Sequence, residues 1–226
     1  MSHDIGVNDM DIRSKIFCDL SSFCEGYFKG RDYFACIYGS YASKDFTNQS
    51  DLDLFIATNE YNGADFEKVR DFVVDLHTKN GLKINEELPY RNKLIVLYKD
   101  IVDATNLEPF LKSGSKYLVP PIEDNREYLA SREVRLRMIL NALTSPNECI
   151  CGNREEYETF KHKAEKALIH LACGLIEKDH PTRDDILHIL LKGTHGEESG
   201  VYLGYRNKRV SVVEYLKDLI SRNLTL

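Results

Sequence analysis

Ile37-Tyr38-Gly39-Ser40 and, after a spacer of ten residues, Asp51-Leu52-Asp53-Leu54-Phe55-Ile56 decide how this chain reads. Ala35 to Tyr38 is short, apolar and β-prone. It runs into Gly39-Ser40, which suits a strand ending in a tight turn. Asp51 to Ile56 has the pattern of a second short strand. Side chains alternate across a strand, so Asp51 and Asp53 share one face while Leu52 and Leu54 point the other way. Two carboxylates that close repel, and each makes the other harder to ionise. Such a pair in an apolar strand therefore points to a cation between them, and hard oxygen ligands suit Mg²⁺. Gly39 lets the backbone approach an anion closely, and a helix opening at Ser40 would aim free N–H groups at it.

An apolar residue, Gly-Ser, a spacer of this length and Asp-x-Asp between apolar residues resemble the nucleotidyltransferase superfamily of the DNA polymerase β type. The likeness is nearest to the small bacterial members, minimal and antibiotic-modifying. The motif covers about a tenth of the chain, and its arrangement extends over roughly the first 110 residues. The resemblance implies attack of an acceptor hydroxyl on the α-phosphate of a nucleoside triphosphate, ATP first among them, with one or two Mg²⁺ ions on Asp51 and Asp53. It also implies that Gly39 and Ser40 hold the β- and γ-phosphates through backbone N–H groups and the Ser hydroxyl. Lys44, inside the spacer, either touches the triphosphate or is plain surface.

Relatives often draw a third carboxylate from the strand after the following helix. Leu82 to Leu88 reads as that strand. With Leu82, Ile84 and Leu88 facing the core, Glu87 falls on the other face and is the favoured third acid, as metal ligand or base. Glu86 is its rival, because Pro89 can bulge the strand and spoil the parity.

The 226 residues suffice for one large or two small domains. Apolar residues at 42% and charged residues at 29% describe a globular chain with a core. A net charge of −6 gives no global basic field towards nucleic acid, though a local basic groove stays open. No apolar run approaches membrane-spanning length. The N-terminus has neither the basic start nor the apolar run of a signal peptide. Six scattered Cys, several in apolar surroundings, read as buried free thiols, so the expected location is the cytoplasm. Cys149-Ile150-Cys151, with His162 or His170, would make half a zinc site but lacks a second pair.

In order, helices are expected over 8–29 and 65–79, strands over 34–38, 51–56, 82–88 and 93–98, and a short turn of helix over 40–45. Past Val119-Pro120-Pro121 the pattern turns helical. Helices are expected over 125–143, 154–178, from Thr182 (as a capping box with Asp185) and over 211–223, with 146–152 as a loop. Arg126, Arg132, Arg135 and Arg137 read as a solvated helix face, or alternatively as the lining of a phosphate-facing cleft. Arg183 and His188 fit Arg-x4-His, which resembles the ribonuclease motif of HEPN helical domains; a capped first turn also accounts for Arg183.

The expected architecture is α/β (α+β): a short mixed sheet with flanking helices over 1–120, then an α-helical domain over 121–226. The leading functional expectation is nucleotidylation of a small-molecule hydroxyl, an aminoglycoside or lincosamide-type antibiotic first. The alternatives are nucleotidylation of a protein or tRNA in a toxin–antitoxin setting, and an inactive nucleotide-binding module.

Overall fold

The computed structural model describes residues 8–47, 50, 52–83, 94–107, 132–176, 178–192 and 210–224. Four strands form one mixed sheet in the order β3-β2-β1-β4, with β1 Tyr33–Tyr38, β2 Asp53–Thr58, β3 Ile95–Leu97 and β4 Asn147–Gly152. β1 runs antiparallel to β2 and β4, and β2 runs parallel to β3. Eight helices lie among the described residues. They are α1 Asn8–Tyr27, α2 Ser40–Ser43, α3 Gly63–Asn80, α4 Tyr98–Thr105, α5 Arg132–Thr144, α6 Arg154–Gly174, α7 Arg183–Lys192 and α8 Val210–Asn223. None is long and apolar enough to cross a membrane. The mixed sheet with flanking helices and a helical C-terminal part is the expected fold.

All six residues of β1 are buried, because helices cover both faces of the sheet. On one face Ala35, Ile37, Leu54, Ile56 and Ile95 pack with α1 and α3. On the other, Phe34, Cys36, Tyr38, Phe55, Ala57 and Val96 pack with α4 to α8. Phe34 anchors this second layer, with its ring 5.8 Å from Tyr98, 5.6 Å from Tyr157 and 6.2 Å from Phe160. Such pairs contribute beyond the area they bury, roughly 0.5–1.5 kcal/mol each.

Local chemistry fixes the helix that links β2 to β3. Asn62 accepts from the Ala64 and Asp65 N–H groups, and the Asp65 carboxylate accepts in return from the Asn62 N–H, a full capping box. Val69, Val73 and Leu76 form its buried stripe, and Gly81 ends it in the left-handed region. Burial alone would raise the Asp65 pKa. The Asn62 N–H, Arg31 at 2.9 Å and the Tyr27 hydroxyl at 3.0 Å outweigh it and hold the carboxyl below the usual range. The expected capping box at the start of α7 also forms, between Thr182 and Asp185.

One expectation about the chain's path needs correction. Residues 146–152 are not a loop: Asn147–Gly152 is β4, paired with β1 along its length. A bulge between Ala35 and Cys36 breaks the two-residue period that would have marked it. The domain boundary expected at 120 lies outside the described residues; β4, from beyond it in sequence, pairs with β1.

Nor do the arginines of α5 form a solvated face. Arg137 is fully buried. Arg135, largely enclosed, donates to Tyr61 Oη at 2.8 Å and Ile95 O at 3.2 Å, and pairs with Asp100 at 3.3 Å. Only Arg132 is exposed, beside Asp103. The cause is that α5 is packed against both α4 and α6, so its buried surface wraps past the apolar stripe. Arg135 also satisfies a carbonyl of β3, the edge strand among the described residues. Arg126 lies outside the described residues.

Candidate active site

The register of β1 and β2 sets Tyr38 directly opposite Asp53. Opposed residues of an antiparallel pair share a face. Asp53 therefore points to the side carrying Tyr38, Cys36 and Phe55, where α4 to α8 pack. It is half-buried at the first position of β2. Gly39 follows Tyr38 with φ 72° and ψ −143°, a backbone region that only glycine adopts without strain. A Cβ on Gly39 would stand 2.8 Å from Asp53 Oδ2. The missing side chain is what lets the carboxylate lie against the turn. The result is a cradle of hard oxygen and bare backbone, which suits a divalent cation and a phosphate.

Gly39→Ala is therefore expected to displace the Asp53 carboxylate. Backbone strain should cost about 1–3 kcal/mol of stability. A shift of roughly 1 Å at the reacting geometry should lower turnover about a hundredfold. Denaturant titration and initial rates measure the two effects; wild-type turnover would show that the cradle does not matter.

The turn after Gly39 is held from several sides. The Gly39 N–H donates to Pro146 O at 3.0 Å, just before β4. This corrects the expectation that the Gly39 N–H faces a phosphate: it is already engaged, and Gly39 contributes through its lack of a side chain. Ser40 opens α2, and Ser40 O accepts from the Asp45 N–H at 3.0 Å and from Ser43 Oγ at 3.2 Å. Lys44 closes the turn in the left-handed region at φ 64° and is exposed. Arg13 of α1 donates to Tyr41 O at 3.0 Å and pairs with Glu148 of β4 at 2.6 Å. The Tyr41 ring stacks on Phe46 at 4.6 Å. Ser211 of α8 donates through Oγ to Asp45 Oδ2. Residues 41–46 of the spacer are thus packed in place, and none of these anchors carries a signal in the sequence.

Gly39, Ser40, Lys44 and Asp53 are the expected site residues that the structure describes. Gly39 and Asp53 come together, with Ser40 next in the chain, and Lys44 lies at the end of the same turn. Asp51, Glu87 and Glu86 lie outside the described residues. Among the described residues no cluster of three or more His, Cys, Asp or Glu could hold a metal. The bulge sets Cys149 opposite Cys36 and Cys151 opposite Ala35, so the two thiols fall on opposite faces of the sheet and cannot share a zinc ion. All six cysteines are free thiols. Burial pushes the Cys36 thiol up and Cys149 up to about 11, which keeps both protonated. Arg183 and His188 are exposed on the solvent side of α7, away from its buried Ile186 and Leu190.

Residues 27–106 match the family model described as Polymerase beta, Nucleotidyltransferase. The matched segment runs from the end of α1 through α4 and holds β1, β2, α3 and β3. It supports a polymerase β-type domain and nucleotidyl transfer as its general chemistry. A nucleoside triphosphate substrate is implied with it, and a divalent metal is usual. No curated protein and no solved structure shows a significant match to the chain.

Proposed function

We propose that the chain is a Mg²⁺-dependent nucleotidyltransferase that moves a nucleoside monophosphate, AMP first, from a nucleoside triphosphate to a hydroxyl of a small-molecule acceptor. The observation that carries this reading is Asp53 lying against the bare backbone of Gly39, inside the segment that matches the family. Asp51 and Asp53, with Glu87 as third carboxylate, would hold the metal. When bound, Mg²⁺ neutralises charge developing on the α-phosphoryl oxygens and the leaving pyrophosphate. Ser40, at the start of α2, offers its hydroxyl to the triphosphate, and Gly39 leaves room for that triphosphate beside the carboxylate. Glu87 takes the proton of the acceptor hydroxyl.

Asp53 faces the side of the sheet covered by α4 to α8, so the acceptor approaches between the sheet and those helices. The net charge of −6 favours a cationic acceptor. An aminoglycoside or lincosamide-type antibiotic fits that description. The test supplies ATP labelled at the α-phosphate, with Mg²⁺, to three arms: a panel of such antibiotics, total tRNA, and lysate protein. Label on a small molecule supports the reading. Label confined to tRNA or protein overturns the acceptor class, and no label in any arm with any of the four triphosphates overturns the transfer.

A further inference from the structure

Ser211 lies far from the nucleotide motif in sequence, in the first turn of α8, yet its hydroxyl donates to Asp45 Oδ2 in the spacer between Gly39-Ser40 and Asp51. Asp45 is in turn tied to the motif, because its N–H closes the α2 turn onto Ser40 O at 3.0 Å. The contact therefore runs from a packed helix to the residue proposed to meet the triphosphate. The helix end of this link is rigid: Val212, Leu216, Leu219 and Ile220 are buried in the core that also holds Phe34 and Tyr38 of β1. The Asp45 carboxylate also meets the N-terminal end of a fourteen-residue helix, where its charge is favoured. Pro146 and Arg13 fix the other side of the turn. Without Ser211, the Asp45 end of the turn would keep its backbone bond to Ser40 but lose a direct tie to α8.

We propose that Ser211 is a positioning residue for the nucleotide. Through Asp45 it fixes the Gly39-Ser40 turn in the geometry that receives the triphosphate, coupling the last helix to the first motif. The inference rests on the nucleotidyltransferase reading above. Positioning groups act by holding a bound geometry in advance, so their loss shows in affinity before it shows in stability.

The experiment measures the Kd of a fluorescent ATP analogue with Mg²⁺ for the full chain and its variants, alongside thermal midpoints. Ser211→Ala should weaken binding about three- to tenfold, the loss of one hydrogen bond to a charged group being of that order or somewhat larger, with the thermal midpoint within about 2 °C of wild type. Ser211→Thr, which keeps the hydroxyl, should restore binding. Asp45→Asn should weaken it too, and the double variant Asp45→Asn/Ser211→Ala should be no worse than Asp45→Asn alone, because Ser211 acts through Asp45. Wild-type affinity in Ser211→Ala, additive losses in the double variant, or a loss of affinity matched by a general loss of stability would each overturn the proposal. If the wild-type chain bound no nucleotide, the nucleotidyltransferase reading would fall and this inference with it. Normal wild-type binding with an unaffected Ser211→Ala would sink this inference alone.

Discussion

Asp53→Asn is expected to lower nucleotidyl transfer at least about a thousandfold, the scale on which removing a main source of transition-state charge stabilisation acts. The amide keeps the shape of the carboxylate, so the clearance beside Gly39 is unchanged. What it loses is the charge that a divalent cation needs. The backbone of β2 should be indifferent, since Asp53 pairs with Tyr38 through main-chain groups and sits half-buried at the strand's first position. Circular dichroism and the denaturation midpoint should therefore match wild type while initial rates collapse. Asp51→Asn should behave alike. Turnover near wild type in the Asp53 variant would remove that residue from the site.

The second large effect concerns stability. Gly152→Ala is expected to destabilise the protein by about 3 kcal/mol or more. Gly152 ends β4 at φ 89°, where a side chain is strained. A Cβ there would stand 2.2 Å from Tyr33 O and 2.8 Å from Phe34 Cα. Both are backbone atoms of the central strand, so neither can turn aside as a side chain would. Relief requires β4 to lift from β1, at the point where Asn153 also donates to Tyr33 O at 2.6 Å. Strain and overpacking each contribute roughly 1–3 kcal/mol. In a domain of this size that corresponds to a fall in thermal midpoint of about 6–12 °C. Gly26→Ala is the control: it lies near the exposed end of α1 with nothing within 4 Å of its Cβ, and should be neutral or slightly stabilising. Equal midpoints for Gly152→Ala and wild type would mean that β4 is not packed as described.

The same two glycines mark what the sequence could and could not convey. Gly39 was legible because it stands in a pattern: an apolar strand, Gly-Ser, a spacer and an Asp-bearing strand. Apolar periodicity carried the helix expected over 65–79, found at Gly63–Asn80, and the run of C-terminal helices, while the cap at Asn62 went unread. Gly152 was not legible. Asn147 to Gly152 is six residues between two long helices, and its bulge sends Cys149 and Cys151 to opposite faces where alternation would put them together. Arg137 failed for another reason. Arginine is almost never fully buried, so an Arg-rich helix reads as surface unless one knows that helices pack on two of its sides. The Gly39 N–H is a third case. A turn before a helix reads as a phosphate cradle, but its donor is taken by Pro146, a partner more than a hundred residues away that only tertiary structure supplies.

The proposed chemistry occurs at the α-phosphate, with pyrophosphate leaving. Two parallel reactions test it most directly, with the same protein, Mg²⁺, triphosphate and acceptor mixture. One carries its label in the α-phosphate and the other in the γ-phosphate. The α-label is expected to pass to the acceptor, the γ-label to leave only as pyrophosphate, and both events to fail together in Asp53→Asn. Transfer of γ-label to the acceptor, or release of γ-label as inorganic phosphate without α-label transfer, would contradict it.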